Sequence, residues 1–436
     1  MSDAIESKTR RKPHWFIRVL RALGVLVVAA VIVYLIADQV LAYQLRQRQA
    51  AFTERFGTLD YQAYIPERPP ADQDAGRAYR YALGLMAEVQ KAHGDWDMYH
   101  ALVDGPESFE KRGSTAPLPT EAEIDAMVRE KIAAMAEGYA AAAEARELAD
   151  GSMLDSYELE GDLMPQLAEV RQLARNLAVR AIVEAQDGNP DAACAWLESG
   201  LHLVRTMNEA PLLLTAMVRI AVADMMLETA EKVFNAIDGP LPLSARFFEL
   251  LADIAAPAVA EHTLISEAAF FLDQGMPLPG PLESMIHTKL LDTYTTMIDL
   301  VQTERTPQRA EQLRTLAANG QAGPGFGPGL LAHMLGSALA ANVQGHDRMA
   351  VHADLLRVAV ALREYKVAQG AYPESLEAIA ATYPGPLPVD PFSGAPLHYR
   401  VEGEGFVLYS VDRDGVDDGG TTGRRNKGDL VWTATR

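Results

Sequence analysis

The chain of 436 residues has one cysteine, Cys194. A single thiol cannot close an internal disulfide, and it cannot supply a multi-cysteine zinc or iron–sulfur site. Basic residues are scarce: 39 Lys and Arg face 59 Asp and Glu, a formal net charge of −20. That balance excludes nucleic acid as a partner over most of the surface. Three catalytic signatures are missing, His-Glu-x-x-His, Gly-x-Ser-x-Gly and the phosphate loop Gly-x4-Gly-Lys. The run Gly323-Pro324-Gly325-Phe326-Gly327 is no dinucleotide fingerprint, because no strand precedes it. No cysteine near the N-terminus offers a lipidation site. What remains is apolar material. Hydrophobic residues make up 49 % and charged ones 22 %, which excludes disorder, collagen and coiled-coil composition. The length suffices for two or three domains.

Charge is unevenly spread. Residues 1–48 hold eight Lys/Arg and three Asp/Glu, while the rest of the chain is strongly acidic. Lys8, Arg10, Arg11, Lys12, Arg18 and Arg21 all precede an uncharged apolar run at 22–37. Trp15, Phe16 and Ile17 lengthen the run on one side, and Val40, Leu41 and Tyr43 on the other. A bilayer takes about 20 residues of helix. Arg18 and Arg21 can snorkel to the interface, and Trp15 and Tyr43 suit its two headgroup belts. The basic cluster predicts a cytoplasmic N-terminus and an exported remainder. This places the protein in the inner membrane, single-pass, with its bulk periplasmic or extracytoplasmic. A cleaved signal peptide is the rival reading, with Val40-Leu41-Ala42 near a small-x-small cleavage pattern. Amphipathic helix continues past the run through Leu41, Leu45 and Phe52, which favours the anchor.

From 72 to 319 the sequence reads as helix, rich in Ala, Leu, Met, Glu and Arg. The spacing predicts helices over 121–148, 165–187, 191–209, 211–237 and 244–256. Breakers stand at 187–190 and 238–240. Segments 100–120 and 275–281 read as loops. The helix pair around Gly188 resembles one tetratricopeptide unit near 170–209, with no second copy at a fixed period. A bundle and a short solenoid both stay open.

Asp224 and Glu228 lie four apart, so both carboxylates share one helix face with Arg219 nearby. They could trade acid and base roles. They could equally form a polar stripe, or pair with the helix carrying Arg171, Arg175 and Arg180. The pair Glu261-His262, and His346 with His352, lack a third partner at metal-ligand spacing.

Residues 319–330 hold enough Gly and Pro for a flexible linker. Beyond it a helix at 349–369 shows Val351, Leu355, Val358, Leu362 and Tyr365 on one stripe. A short helix at 374–381 follows, then strands at 397–401, 406–410 and 430–433. Asp412, Asp414, Asp417 and Asp418 crowd a turn with Gly415, Gly419 and Gly420. Hard oxygen donors on a glycine-permitted loop suit Ca²⁺; a solvated acidic turn is the plain alternative.

The order of motifs in this tail carries a resemblance. Gln369-Gly370-Ala371-Tyr372-Pro373 comes first, then Asp390-Pro391-Phe392-Ser393-Gly394-Ala395-Pro396-Leu397-His398-Tyr399. Ser410-Val411-Asp412-Arg413-Asp414-Gly415 with Gly419-Gly420 follows, and Asp429-Leu430 with Trp432 closes the series. Over 349–433 the chain resembles the globular domain of the type II secretion major pseudopilin. The resemblance implies a calcium loop using backbone carbonyls as well as aspartates. It points to Asp414, by its place before Gly, and to Asp429, by its place before the last strand. Asp417 and Asp418 join by the charge cluster, and Asp412 stands where the family has a small residue. The chain departs from the family elsewhere. Gly24 is followed by Val25-Leu26-Val27-Val28-Ala29 without a glutamate, and about 300 residues separate the apolar run from the pseudopilin-like part.

The expectation is therefore mainly α. It comprises a tail and transmembrane helix at 1–48, an all-helical domain at 49–318, a linker at 319–330, and a small α+β pseudopilin-like domain with an antiparallel sheet at 331–436. The expected role is a membrane-anchored interaction or scaffold module, with the membrane and an unidentified protein as partners and Ca²⁺ as ligand at Asp412, Asp414, Asp417, Asp418 and Asp429. An envelope hydrolase with its site among the helices is one alternative. An accessory part of a type II secretion or pilus system is the other.

Overall fold

A computed structural model describes residues 14–94, 96–110, 118–149, 151–157, 162–275, 278–319, 328–423 and 428–435. Of the N-terminal basic cluster, Lys8, Arg10, Arg11 and Lys12 lie outside these residues, as does 320–327 of the Gly/Pro segment.

The apolar run belongs to one unbroken helix, α1 (His14–Phe56). An 18-residue window within it has mean hydropathy 2.7 and is entirely unburied, so α1 is long and apolar enough to cross a membrane. Val25 to Ile36 stand exposed on all sides. Exposure then becomes one-sided: Asp38, Leu41, Ala42, Leu45, Gln49, Phe52 and Phe56 are covered, and the residues between them are open. That spacing of three and four is the seam of one helix lying along another.

The covering helix is α12 (Gly280–Gln302). Between α1 and α12 the chain forms α2 (Ala75–Ala92), α3 (Met98–Asp104), α4 (Glu107–Glu110), α5 (Glu121–Ala134), α6 (Ala136–Arg146), α7 (Leu163–Gln186), α8 (Pro190–Arg205), α9 (Leu213–Ala236), α10 (Ala245–Ala255) and α11 (Pro257–Gln274). Local chemistry sets several starts. Thr120 and Glu123 close a capping box on α5, and Asp74, Asp97 and Ser244 cap α2, α3 and α10. The expected helix at 121–148 is two helices, because the backbone tightens at Met135, whose N–H is shared among three carbonyls. The expected loop at 100–120 contains the end of α3 and all of α4. Helices α7 and α8 fold back on each other through Gly188, whose φ of 75° a side chain would resist.

After α13 (Pro307–Asn319) comes α14 (Pro328–Gln369), longer than the helix expected from 349. Its first half packs on α12 and α13, and its second half on α9, α10 and the sheet. A 3₁₀ turn (Leu376–Ile379) replaces the expected second helix. The sheet is antiparallel, in order β1 (His398–Glu402), β2 (Gly405–Ser410), β3 (Leu430–Ala434). Glu402 pairs with Gly405 across a two-residue turn in which Gly403 takes φ 62°.

Two apolar cores result. The smaller joins Phe52 of α1 to Leu264, Leu290, Tyr294, Leu313, Leu339 and Val343. The larger spans α2 to α10, the second half of α14 and the sheet. It runs across the 319–330 segment: Phe234 of α9 stands edge-on to Trp432 at 5.8 Å and to Phe406 at 6.3 Å.

Candidate functional site

The sheet meets the helices through polar groups as well as rings. Strand β3 is an edge strand, and an open edge exposes unpaired backbone groups. Helix α9 covers this one with side chains four apart. Glu231 accepts from Thr433 N–H at 2.9 Å, Asn235 donates to Thr433 O at 2.8 Å, and Thr435 N–H donates to Asn235 at 2.9 Å. Arg363 of α14 lies 3.9 Å over the Phe234 ring and donates to Phe234 O in the last turn of α9 and to Ile237 O and Gly239 O just past its end. Buried Arg219 serves another helix end. It donates to Ile254 O at the C-terminus of α10, where Arg305 and His346 bind the next two carbonyls. Burial lowers the Arg219 pKa to about 10. It also drives His346 well below the usual imidazole range, with Arg219, Arg305 and Arg309 adding to the effect.

Beside this joint lies a cleft of about 410 Å³. Helix α9 contributes Glu228, Glu231 and Lys232, α14 contributes Arg348 and His352, and the β2–β3 loop contributes Asp412, Arg413 and Asp429. Arg348 is central to it. Its Nε is 2.9 Å from Asp412 and its Nη1 is 3.3 Å from Asp224. His352, almost fully buried, holds Nδ1 3.5 Å from the other oxygen of Asp224. Glu228 stands at the mouth, reached by solvent and without an ion pair among the described residues. Protein packed around it raises its pKa, and Asp224 adds to the rise. Asp224 and Glu228 thus share a face as their spacing requires. Arg219 points instead to α10, and the ion-pair partner of Asp224 comes from α14 rather than from α7.

The five aspartates of the acidic loop go to different places. Asp412 has φ 55°, the only non-glycine at positive φ among the described residues, and it is buried against Arg348. Asparagine and aspartate tolerate that region better than other side-chain-bearing residues. Asp414 accepts from Val416 N–H, and its carbonyl takes Arg314 Nη1 of α13 at 2.5 Å. Asp417 accepts from Gly419 N–H at 2.9 Å and from the Tyr409 hydroxyl at 3.1 Å. The Gly419 bond chiefly holds the Asp417 carboxyl below its ordinary range. Asp418 is exposed and donates its N–H to Asp429. Asp429, buried, also accepts from Gly420 and Thr421 N–H and so holds the loop's far end against its start.

Among the described residues, no three His, Cys, Asp or Glu converge at metal-ligand distance. The donor set divides in two. Asp412 does not fit a cation site, because a guanidinium occupies its carboxylate. Asp414, Asp417, Asp418 and Asp429 line one loop, and the remaining lone pairs of their carboxylates are hard oxygen donors of the kind that Ca²⁺ takes, while the Asp414 carbonyl is held by Arg314.

Asp390 is the residue whose work the sequence concealed. Fully buried, it accepts from Phe392 N–H at 2.9 Å, the Ser410 hydroxyl at 3.0 Å and Val411 N–H at 3.0 Å, pinning the end of β2 to the preceding loop. Its local signal is the Asp-Pro-Phe-Ser run, an aspartate placed to bond the backbone two residues on. Compared with known proteins, the chain matches no family model, no curated protein and no solved structure.

Proposed function

We propose that this is a single-pass, extracytoplasmic membrane protein acting as a scaffold. It holds a pseudopilin-like, calcium-binding module on a rigid helical body for recognition by another protein. One observation carries the reading: the apolar helix does not end in a tether. Past residue 37, α1 runs for about 28 Å along α12 in the body itself. The remaining elements support it. Helix α14, about 63 Å long, joins the smaller core to the sheet and fixes the distance between them. Calcium, when bound, would neutralise the crowded carboxylates of Asp414, Asp417, Asp418 and Asp429. Reporters active only in the cytoplasm, fused after residue 60 and at the C-terminus, should both be silent. A cytoplasmic signal at either place would end this reading.

A hydrolase is the second reading, and the cleft favours it. Protein packed around Glu228 raises its pKa, while Asp224 sits in an ion pair with Arg348 beside His352. Two carboxylates in unlike settings can divide acid and base roles. Glu228→Gln and His352→Ala would then abolish hydrolysis of any substrate that the intact protein turns over, with folding unchanged. Equal turnover in both variants would dismiss the cleft as a catalytic centre.

A further inference from the structure

The register between α1 and α12 fixes where the body sits relative to the apolar run. Asp38 lies against Gly280, so closely that a Cβ there would be 2.5 Å from Asp38 Oδ1. Arg48 pairs with Asp292 at 3.3 Å, and Arg55 with Asp299 at 2.5 Å. In all three contacts the partner lies 242 to 244 positions further along the chain. The two helices are therefore parallel and in step, since both rise about 1.5 Å per residue. Extending that register backwards places Leu278 level with residues 34–36, inside the exposed apolar run of α1.

The chemistry of residues 278–282 suits that depth. The segment reads Leu-Pro-Gly-Pro-Leu. Pro279 and Pro281 have no N–H to satisfy. The N–H groups of Leu282 and Glu283 both donate to Pro279 O, at 2.8 and 3.1 Å. A segment with few unmet backbone donors can approach hydrocarbon at little cost, whereas an ordinary loop cannot. Asp38, the first charge after the apolar run, lies at the N-terminal end of α12, where the helix dipole favours an anion. It is an acidic residue already provided for at the boundary.

The geometry points to a second membrane contact: residues 278–282 reach the boundary between headgroups and acyl chains of the same bilayer that α1 crosses, so that the body is seated on the phospholipid surface. This rests on the reading that α1 spans a membrane. Helix α14 keeps its start near the same end. A Cβ on Gly336 would lie 3.4 Å from Thr293 Cγ2, and Asp347 pairs with Arg305 just past the end of α12, which makes α14 parallel to α12 as well.

Single cysteines carrying an environment-sensitive fluorophore test this in the full chain in nanodiscs, with buried Cys194 out of reach of the label. The positions are Val27→Cys in the run, Leu278→Cys in the turn and Glu304→Cys beyond the far end of α12. Phospholipids brominated on the acyl chain should quench Val27 and Leu278 several-fold more than Glu304. Quenching at Val27 with Leu278 no different from Glu304 overturns the second contact and leaves the span standing. No quenching at Val27 overturns both. A diazirine phospholipid probes the same contact on the unsubstituted chain. It should label the peptide containing 278–282 and spare 303–306, and labelling confined to 18–37 would contradict the proposal.

Discussion

The two ends of the body are joined by opposite means. At the α1 end, an apolar seam carries the contact, and the ion pairs along it are exposed: the side chains of Arg48 and Asp292 are 58 % and 48 % accessible. At the sheet end, charged groups lie inside the joint, and Asp412 beside Arg348 is only 9 % accessible. The first joint depends on area and tolerates loss of a charge. The second depends on pairing, because a buried charge left alone is costly. A chain can therefore have one joint that hydropathy reveals and another that no local pattern reveals.

The largest expected effect is at the paired joint. Arg348→Ala removes the guanidinium that Asp412 and Asp224 share, leaving Asp412 only Arg413 at 3.8 Å and Asp224 only His352 at 3.5 Å, and should destabilise the solubilised protein by roughly 2–4 kcal/mol. Denaturant titration measures it. A loss no greater than that of Arg48→Ala would remove the distinction between the two ends.

Glu267 sharpens the comparison from the other side, as a buried acid next to the apolar seam. Burial raises its pKa to about 7, against the opposing effect of the Leu213 N–H that it accepts at 2.8 Å. The native state thus keeps this proton to about pH 7, while the unfolded chain loses it near the ordinary carboxyl value. Its contribution to stability is full at low pH, falls between about 4.5 and 7, and stays low above that. Glu267→Gln should remove the fall and add up to about 3 kcal/mol at pH 8. Parallel pH profiles for the two proteins would contradict the assignment.

Calcium should act only at the sheet end. Saturation to a hundred times the dissociation constant adds roughly 2.7 kcal/mol, a rise of several degrees in the melting point for a chain of this size. Asp414→Ala should remove most of the gain and Asp224→Ala none. Identical melting in calcium and in chelator leaves the loop as a solvated acidic turn. The smallest effect is expected at the seam, where Arg48→Ala or Arg55→Ala should cost less than about 1 kcal/mol.

The sequence shows what periodicity can carry. The apolar run, the helices from 163 to 255 and the three strands follow from spacing and breakers close to where the structure has them. Of the stripe, Val351, Leu355, Val358 and Leu362 are buried and Tyr365 at its end is half-buried. Helix α14 starts 21 residues before the helix expected from 349, because its first half is shaped by contact with α12 and α13 rather than by its own pattern. The cleft was legible only as the Asp224–Glu228 spacing. Its members from other elements, among them Arg348, His352 and Asp412, lie 124 or more positions beyond Asp224. The partners of a buried charge are set by tertiary packing, and nothing local announces them. The acidic loop was visible as composition, yet composition could not tell Asp412, turned to Arg348, from Asp414 and Asp417, which close turns of their own loop.

Rigid attachment of the span to the body is the central claim. Electron–electron resonance between spin labels at Gln39, just past the apolar run of α1, and at exposed Val401, on β1, measures it in nanodiscs. One narrow distance distribution, unchanged in detergent, is the predicted result. A broad or multiple distribution would mean that α1 leaves α12 and that the body hangs from the membrane on a tether.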